Sequence, residues 1–122
     1  MKYLCLAYET EQDLAALSHD EWLAIRQETL DYVAALRARG ELIETLALQS
    51  PRYAKVTRVR GGKRVVMDGP FAETKEQIGG FFLIEARDAE HALEIAADWP
   101  SARIGHIEVR PVEPELREES RY

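Results

Sequence analysis

The stretch DGPFAETKEQIGGFF, residues 68–82, joins a tight turn, a short charged segment and the start of an apolar strand. Gly69 tolerates a positive φ, and Pro70 fixes its own φ and disfavours helical backbone at the residue before it, so a turn is predicted here. Thr74 is placed to cap one brief helical turn. The glycine pair at 79–80 then lets the backbone enter a strand without side-chain clashes. We call this stretch the elbow.

A strand and a long helix precede the elbow at the start of the chain. Residues 2–8 are apolar on both faces of the predicted strand, and such a strand needs cover on both sides. Ser18 and Glu21 fit a capping box, in which the serine caps the helix and the glutamate reaches back. Positive charge and Gly40 predict the end of the helix. Its apolar stripe consists of Trp22, Ile25, Thr29, Tyr32, Val33 and Leu36.

Three strands are predicted between this helix and the elbow. The first covers residues 42–49, and the other two form a hairpin over residues 54–68. Gly61-Gly62 is the two-residue loop typical of tight hairpins. Counting outward from this loop places Lys55 opposite Asp68.

The elbow is followed by a strand, a helix and a final strand. The first of these strands covers residues 80–86, and Asp88 then caps the helix. The final strand, residues 105–112, alternates apolar and polar side chains. Residues 113–122 are charged and have no apolar period, so we expect a flexible C-terminal tail after a single domain, residues 1–112.

With the hairpin set aside, the predicted order is strand, helix, strand, strand, helix, strand. This is the split βαβ, ferredoxin-like arrangement of an α+β protein, with one antiparallel sheet and both helices on one face. No helix is left to cover the other sheet face. A second copy of the chain, stacked sheet to sheet, would cover it. The sequence therefore predicts a homodimer, a dimeric α+β barrel with an inserted β-hairpin.

Composition narrows the classes of function. The 122 residues carry a net charge of −6, and an acidic surface repels phosphate backbones, so no nucleic acid partner is expected. Six uncharged residues follow Lys2, too few for a secretory core or a membrane span. The lone Cys5 excludes an internal disulfide and a cysteine-based zinc site, and its apolar surroundings indicate inert packing. We expect a cytoplasmic protein with no membrane association.

Three polar residues on the last strand are the first candidates for chemistry. Residues two apart on a strand stand side by side, so His106, Glu108 and Arg110 place a base, an acid and a cation in one row. If Ile107 and Val109 pack beneath the helices, the row faces the partner sheet. We predict that His106 is catalytic and that Glu108 and Arg110 bind a ligand. The alternative is a solvent-exposed charge ladder.

Three further residues are weaker candidates, each with an ordinary structural explanation. Asp68 is a second candidate general base, or it serves the turn and pairs with Lys55. Lys75 is placed to bind a ligand, or it belongs to an exposed charged turn. Arg103 would meet an anionic substrate, or it is a surface arginine. The three histidines share no metal-ligand spacing and the glycine pair matches no nucleotide fingerprint, so no metal and no cofactor are expected.

The elbow also carries a family resemblance. Residues 68–76, followed by Gly79-Gly80-Phe81, resemble the signature of the DGPF branch of the YCII-related proteins. The opening residues 1–4 and the closing residues 107–112 are similar to that branch as well. The resemblance covers about residues 1–112 and implies a dimeric ferredoxin-like barrel.

What the resemblance implies for function leaves two classes open. Some YCII-related proteins are dehydrochlorinase-like or have a proposed His–Asp acid/base pair in the dimer cleft, but Thr29 and Trp99 occupy the corresponding positions here. The first class is an enzyme or binding protein that handles a small molecule in the intersubunit cleft. Genes of the DGPF branch often lie beside genes of extracytoplasmic-function sigma factors. The second class is a non-catalytic regulatory protein that acts with such a sigma factor.

Overall fold

The computed structural model describes residues 1–120. Within them the chain forms one four-stranded antiparallel sheet, one two-stranded hairpin and three α-helices. The elements in chain order are β1 (Lys2–Glu9), α1 (Glu11–Ala15), α2 (His19–Ala38), β2 (Leu42–Ala47), β3 (Lys55–Arg60), β4 (Lys63–Asp68), β5 (Gln77–Glu85), α3 (Ala89–Ala97) and β6 (His106–Pro111).

The order of strands in the sheet is β2-β5-β1-β6, and every neighbouring pair is antiparallel. Strands β1 and β2 therefore run in the same direction with β5 between them, which is the split βαβ arrangement. Strands β3 and β4 pair only with each other among the described residues and form the inserted hairpin between β2 and β5. The predicted α+β, ferredoxin-like fold of the single chain is confirmed.

The helix caps follow the sequence closely. The Ser18 hydroxyl accepts the Glu21 N–H at 3.1 Å, and the Ser18 N–H donates to the Glu21 carboxylate at 3.0 Å, which confirms the capping box. The Asp88 carboxylate accepts the His91 N–H at 2.9 Å and starts α3 as predicted. Helix α1 was not predicted. It spans only five residues and is capped by Thr10.

The core lies between the sheet and one layer formed by α2 and α3. Trp99 stacks on Phe82 with ring centroids 3.9 Å apart, and Cys5 is fully buried beside them. Burial raises the pKa of the Cys5 thiol to about 12, so this cysteine is an inert packing residue. The Thr29 hydroxyl donates to the Ile25 carbonyl. Thr29 and Trp99 therefore serve helix and core structure.

Helix α2 contributes less of its apolar stripe to the core than the sequence predicts. Only its C-terminal half packs on the sheet, through Tyr32, Val33 and the fully buried Leu36. Trp22, at the start of the stripe, is exposed.

The hairpin has the predicted loop and register. Gly61 and Gly62 both have a positive φ, +57° and +73°. Lys55 lies opposite Asp68, and their side chains form an ion pair at 2.7 Å. Gly69 has a φ of +84°, and its N–H closes the base of the hairpin on the Ala54 carbonyl at 2.8 Å. The turn after β4 therefore needs glycine for the reason inferred from the sequence.

The prediction of a helical turn in the elbow is wrong. No described residue between β4 and β5 is helical. The Thr74 hydroxyl instead donates to the Glu76 carbonyl at 2.7 Å, and the Gln77 amide donates to the Ala72 carbonyl at 2.7 Å. Three polar residues are too few to repay helix nucleation, so side-chain hydrogen bonds hold an irregular loop.

The glycine pair lies inside β5, which begins at Gln77, earlier than predicted. A Cβ on Gly80 would lie 2.8 Å from the Leu46 carbonyl oxygen of the neighbouring strand. Gly79 is the extra residue of a β-bulge, because Ala7 pairs with Gly80 and Tyr8 pairs with Ile78. These glycines therefore permit close contact within the sheet.

The predicted tail is only partly described. Glu118–Ser120 forms one 3-10 turn, and the Arg117 side chain lies 3.2 Å from the Glu115 carboxylate. The last two residues of the predicted tail lie outside the described part of the chain. None of the helices in residues 1–120 is long and apolar enough to cross a bilayer.

Gly69→Val should destabilise the fold by roughly 1–3 kcal/mol, because a β-branched residue is strained at positive φ. Urea unfolding monitored by tryptophan fluorescence measures this change. Asp68→Asn, which keeps the turn backbone and weakens only an exposed ion pair, is the control and should cost much less. Equal midpoints for Gly69→Val and the parent would contradict the turn assignment.

Candidate functional site

Within residues 1–120, one face of the sheet has no helix packed over it. We call it the open face. Because paired residues lie on the same side of a sheet, its side chains form three rows across the strands. The rows are His106–Tyr8–Ile78, Glu108–Leu6–Phe81–Leu46 and Arg110–Leu4–Leu83–Glu44. An apolar band thus crosses the open face, with the polar residues of β6 along one edge.

The polar row of β6 faces this open side. Ile107 and Val109 pack against the core, so His106, Glu108 and Arg110 point away from the helices. Arg110 donates to the Glu108 carboxylate at 2.5 Å, and both side chains are partly exposed. Glu108 and Arg110 therefore satisfy each other within the row, whereas His106 contacts a different element.

His106 connects the polar row to the elbow. Its Nδ1 lies 2.7 Å from the Glu76 carboxylate, which belongs to the loop before β5. Both side chains are accessible to water. A carboxylate beside one imidazole nitrogen orients the ring. This contact places His106 beside a residue that lines a cavity.

The cavity lies at the end of the open face, where two loops meet. Residues 48–54, before the hairpin, form one wall and residues 70–78, after it, form the other. Its volume is about 630 Å³. The lining residues are Tyr8, Leu48, Gln49, Ser50, Pro51, Tyr53, Ala54, Pro70, Phe71, Ala72, Thr74, Glu76, Gln77 and Ile78. Two hollows of about 520 and 190 Å³ adjoin it, and we call the three together the cleft.

Aromatic rings make up much of the wall of the main cavity. Tyr8 comes from the open face, while Tyr53 and Phe71 come from the two loops. Phe71 is 87% exposed and Tyr53 is also exposed. Exposed aromatic side chains around a concave surface are typical of binding sites, because water leaves them favourably when a ligand or partner covers them.

The other predicted site residues are distributed unequally around the cleft. Lys75 lines the 520 Å³ hollow, beside Glu73. Asp68 lies on the hairpin, where the Lys55 ammonium lowers the pKa of its carboxyl. Arg103 pairs with Glu28 of α2 at 2.7 Å. Lys75 thus lines the cleft, His106 lies at its edge through its contact with Glu76, and Asp68 and Arg103 lie elsewhere.

Glu9 is a cleft residue that the sequence did not reveal. Its carboxylate lies over Gly79, where an added Cβ would be 1.9 Å from the Glu9 oxygen. It lines the 190 Å³ hollow, and burial raises the pKa of its carboxyl above the ordinary value. A strand-end glutamate gives no sign of this in the sequence, because its surroundings come from a bulge and two distant loops.

His91 has a structural role. Its Nδ1 accepts the Arg87 N–H at 3.1 Å, and its Nε2 lies 3.6 Å from the Glu41 carboxylate. The side chain is mostly buried between α3 and the start of β2. Residues 1–120 contain no group of three His, Cys, Asp or Glu side chains arranged to hold a metal ion.

Comparison with known proteins gives the family. A family model described as the YCII-related domain matches residues 1–116. The chain belongs to the YCII-related family. An uncharacterised protein of Rhizobium meliloti (strain 1021) is 35% identical over 114 residues, which cover 92% of each chain. YCII-related membership confirms the broader part of the sequence resemblance.

Glu9→Gln should stabilise the protein slightly at pH 7 and leave it unchanged near pH 4. A raised carboxyl pKa means that the folded state resists ionisation. The contribution of Glu9 to the free energy of unfolding is therefore fully present below the ordinary glutamate pKa. It is lost as the pH rises through the raised value. Glutamine cannot ionise, so the variant avoids this loss. Its gain in stability at pH 7 is less than about 1 kcal/mol, because water screens a half-exposed group.

Urea unfolding of both proteins at the two pH values measures this difference. Glu73→Gln is the matched control in the same cleft, because Glu73 is exposed. A Glu9→Gln variant that is less stable than the parent at pH 7 would show that the carboxylate stabilises the fold.

Proposed function

We propose that this YCII-related protein is a homodimer that binds a small polar molecule in a cleft between its subunits. The observation that carries the proposal is an uncovered apolar band that ends at an aromatic-lined cavity of about 630 Å³. The motif at residues 68–81 further supports placing the chain in the DGPF branch of the family.

The dimer is supported by the side chains that the open face leaves exposed to water. Leu46 is 57% exposed, and Ile78 is exposed beside the cavity. Leu4, Leu6 and the neighbouring side chains of β5 are only partly covered. A contiguous apolar surface of this kind is uncommon in a monomer. A second copy stacked on it would bury the open faces of both copies.

Acid/base chemistry at the edge of this cleft would use His106, which contacts the cavity residue Glu76. An imidazole with one nitrogen held by Glu76 keeps the other nitrogen for a ligand, as a general acid or base requires. Glu108 and Arg110 would contact the polar part of a ligand as a joined pair. Lys75 would contribute from the adjoining hollow. Asp68 and Arg103 have no role in this proposal, because their partners hold them elsewhere.

Leu46→Asp should convert the dimer to a monomer, because it places a charge in the most exposed part of the apolar band, on the edge strand β2. Multi-angle light scattering at micromolar concentration should give twice 13.9 kDa for the parent and 13.9 kDa for the variant. Leu93→Asp is the matched control, since Leu93 is 53% exposed but lies on α3. A parent protein that is monomeric and unfolds cooperatively would refute the dimer.

Tyr53→Ala should weaken the binding of small molecules at least about fivefold, because it removes one aromatic wall. Saturation-transfer NMR against a panel of small amines, alcohols, phenols and carboxylic acids measures binding to parent and variant. Trp22→Ala removes an exposed aromatic residue of α2 and should leave binding unchanged. A panel in which no compound of any class binds would refute the ligand-binding function.

An interaction role is the second candidate, and the hairpin favours it. Val59, Val66 and Met67 are exposed on β3 and β4. The hairpin also carries the chain's densest basic run, although the whole protein has a net charge of −6. An exposed surface that is both apolar and basic suits an acidic protein partner. The sigma factor implied by the DGPF resemblance is the first such partner to test.

Arg60→Glu combined with Arg64→Glu should abolish binding to an extracytoplasmic-function sigma factor of the same organism. Both residues lie beside the hairpin loop, where reversing their charge does not disturb the core. Isothermal titration calorimetry with the purified sigma factor measures the affinity. Arg26→Glu, on the exposed side of α2, is the control. Unchanged affinity in the hairpin variant would exclude this surface.

A further inference from the structure

We infer that the cleft selects a small organic ammonium ion, with its apolar part against the aromatic wall and its nitrogen at Glu76. The inference rests on the ligand-binding function proposed above and names the chemical class of the ligand. It follows from the charges around the main cavity, the positions and partners of the nearby basic side chains, and the aromatic residues of the wall.

Glu76 is the charged residue of the main cavity. Among the described residues that line it, no lysine, arginine or histidine is present. The other polar lining residues, Gln49, Ser50, Thr74 and Gln77, are neutral. A ligand that enters this cavity therefore meets a single fixed charge, and that charge is negative.

The basic residues that the sequence suggested for a ligand lie outside the lining of the main cavity, and two of them are paired. Arg103 donates to Glu28 at 2.7 Å, and Arg110 donates to Glu108 at 2.5 Å. Lys75 lines the adjoining 520 Å³ hollow together with two carboxylates, Glu11 and Glu73. A carboxylate ligand would find no unpaired cation in the cavity and would be repelled by Glu76.

Glu76 keeps one carboxylate oxygen for a ligand. Its Oε1 is occupied by His106 at 2.7 Å. Its Oε2 accepts no hydrogen bond from residues 1–120, and the side chain is 42% exposed. An ammonium group donating to Oε2 would form a charge-assisted hydrogen bond and leave the contact with His106 intact.

The wall of the cavity supports the same class of ligand. Tyr8, Tyr53 and Phe71 line the cavity that contains Glu76. Aromatic faces carry negative electrostatic potential, so they attract an organic cation and disfavour an anion. The aromatic side chains also cover the apolar part of an organic amine. A hydrated metal ion or other inorganic cation has no such apolar part.

Three probes that share one ring separate the effect of charge from that of shape: benzylammonium, benzyl alcohol and benzoate. We expect benzylammonium to bind at least about threefold more tightly than benzyl alcohol. A ratio of this size corresponds to the free energy of one exposed ion pair. Benzoate should bind most weakly. Titrations followed by NMR at pH 8, where an ordinary imidazole is neutral, give the three dissociation constants.

Glu76→Gln should bring benzylammonium and benzyl alcohol to equal affinity, while the affinity for benzyl alcohol stays unchanged. Glu73→Gln, in the same loop but outside the main cavity, should keep the preference for the amine. Benzoate binding as tightly as benzylammonium would overturn the inference and leave the ligand-binding function standing. Failure of benzylammonium to bind at millimolar concentration would also overturn it, and the wider panel above decides the function separately.

Discussion

Strand β1 is apolar on both faces, and the rest of the structure depends on how each face is covered. Its inward residues, such as Tyr3 and Cys5, lie beneath the two packed helices and form the centre of the core. Its outward residues, Leu4 and Leu6, are only partly covered by the described chain. Fully burying one such leucine contributes about 1.5–3 kcal/mol, so a second subunit would gain much from this surface. The same strand thus specifies the core and the binding face.

The sequence predicts the elements whose signals are local. The capping box at Ser18, the loop Gly61-Gly62 and the pairing of Lys55 with Asp68 are all confirmed, because each depends on neighbouring residues or on a fixed hairpin register. The prediction fails where side-chain hydrogen bonds within a loop compete with helix formation. Thr74 does not cap a helical turn, because the Gln77 side chain binds the loop carbonyls instead.

The candidate site could be predicted only in part, because it is assembled from loops far apart in sequence. Alternation along β6 placed His106 on the correct face, but nothing in the sequence pairs it with Glu76, thirty positions earlier. Tyr53 and Phe71 lie on either side of the hairpin and meet only when its base closes. Glu9 depends on a bulge at Gly79, which strand periodicity does not reveal. These are tertiary contacts between residues far apart in sequence, so patterns of neighbouring residues do not predict them.

The hairpin has a consequence for how the protein opens. A two-stranded ribbon outside the main sheet has little apolar burial of its own and is marginally stable. Its amide hydrogens should therefore exchange with solvent through local opening, while those of β1 and β5 exchange only when the whole domain unfolds. The base of this ribbon holds both walls of the cleft. Fraying of the ribbon would then change the distance between the two walls.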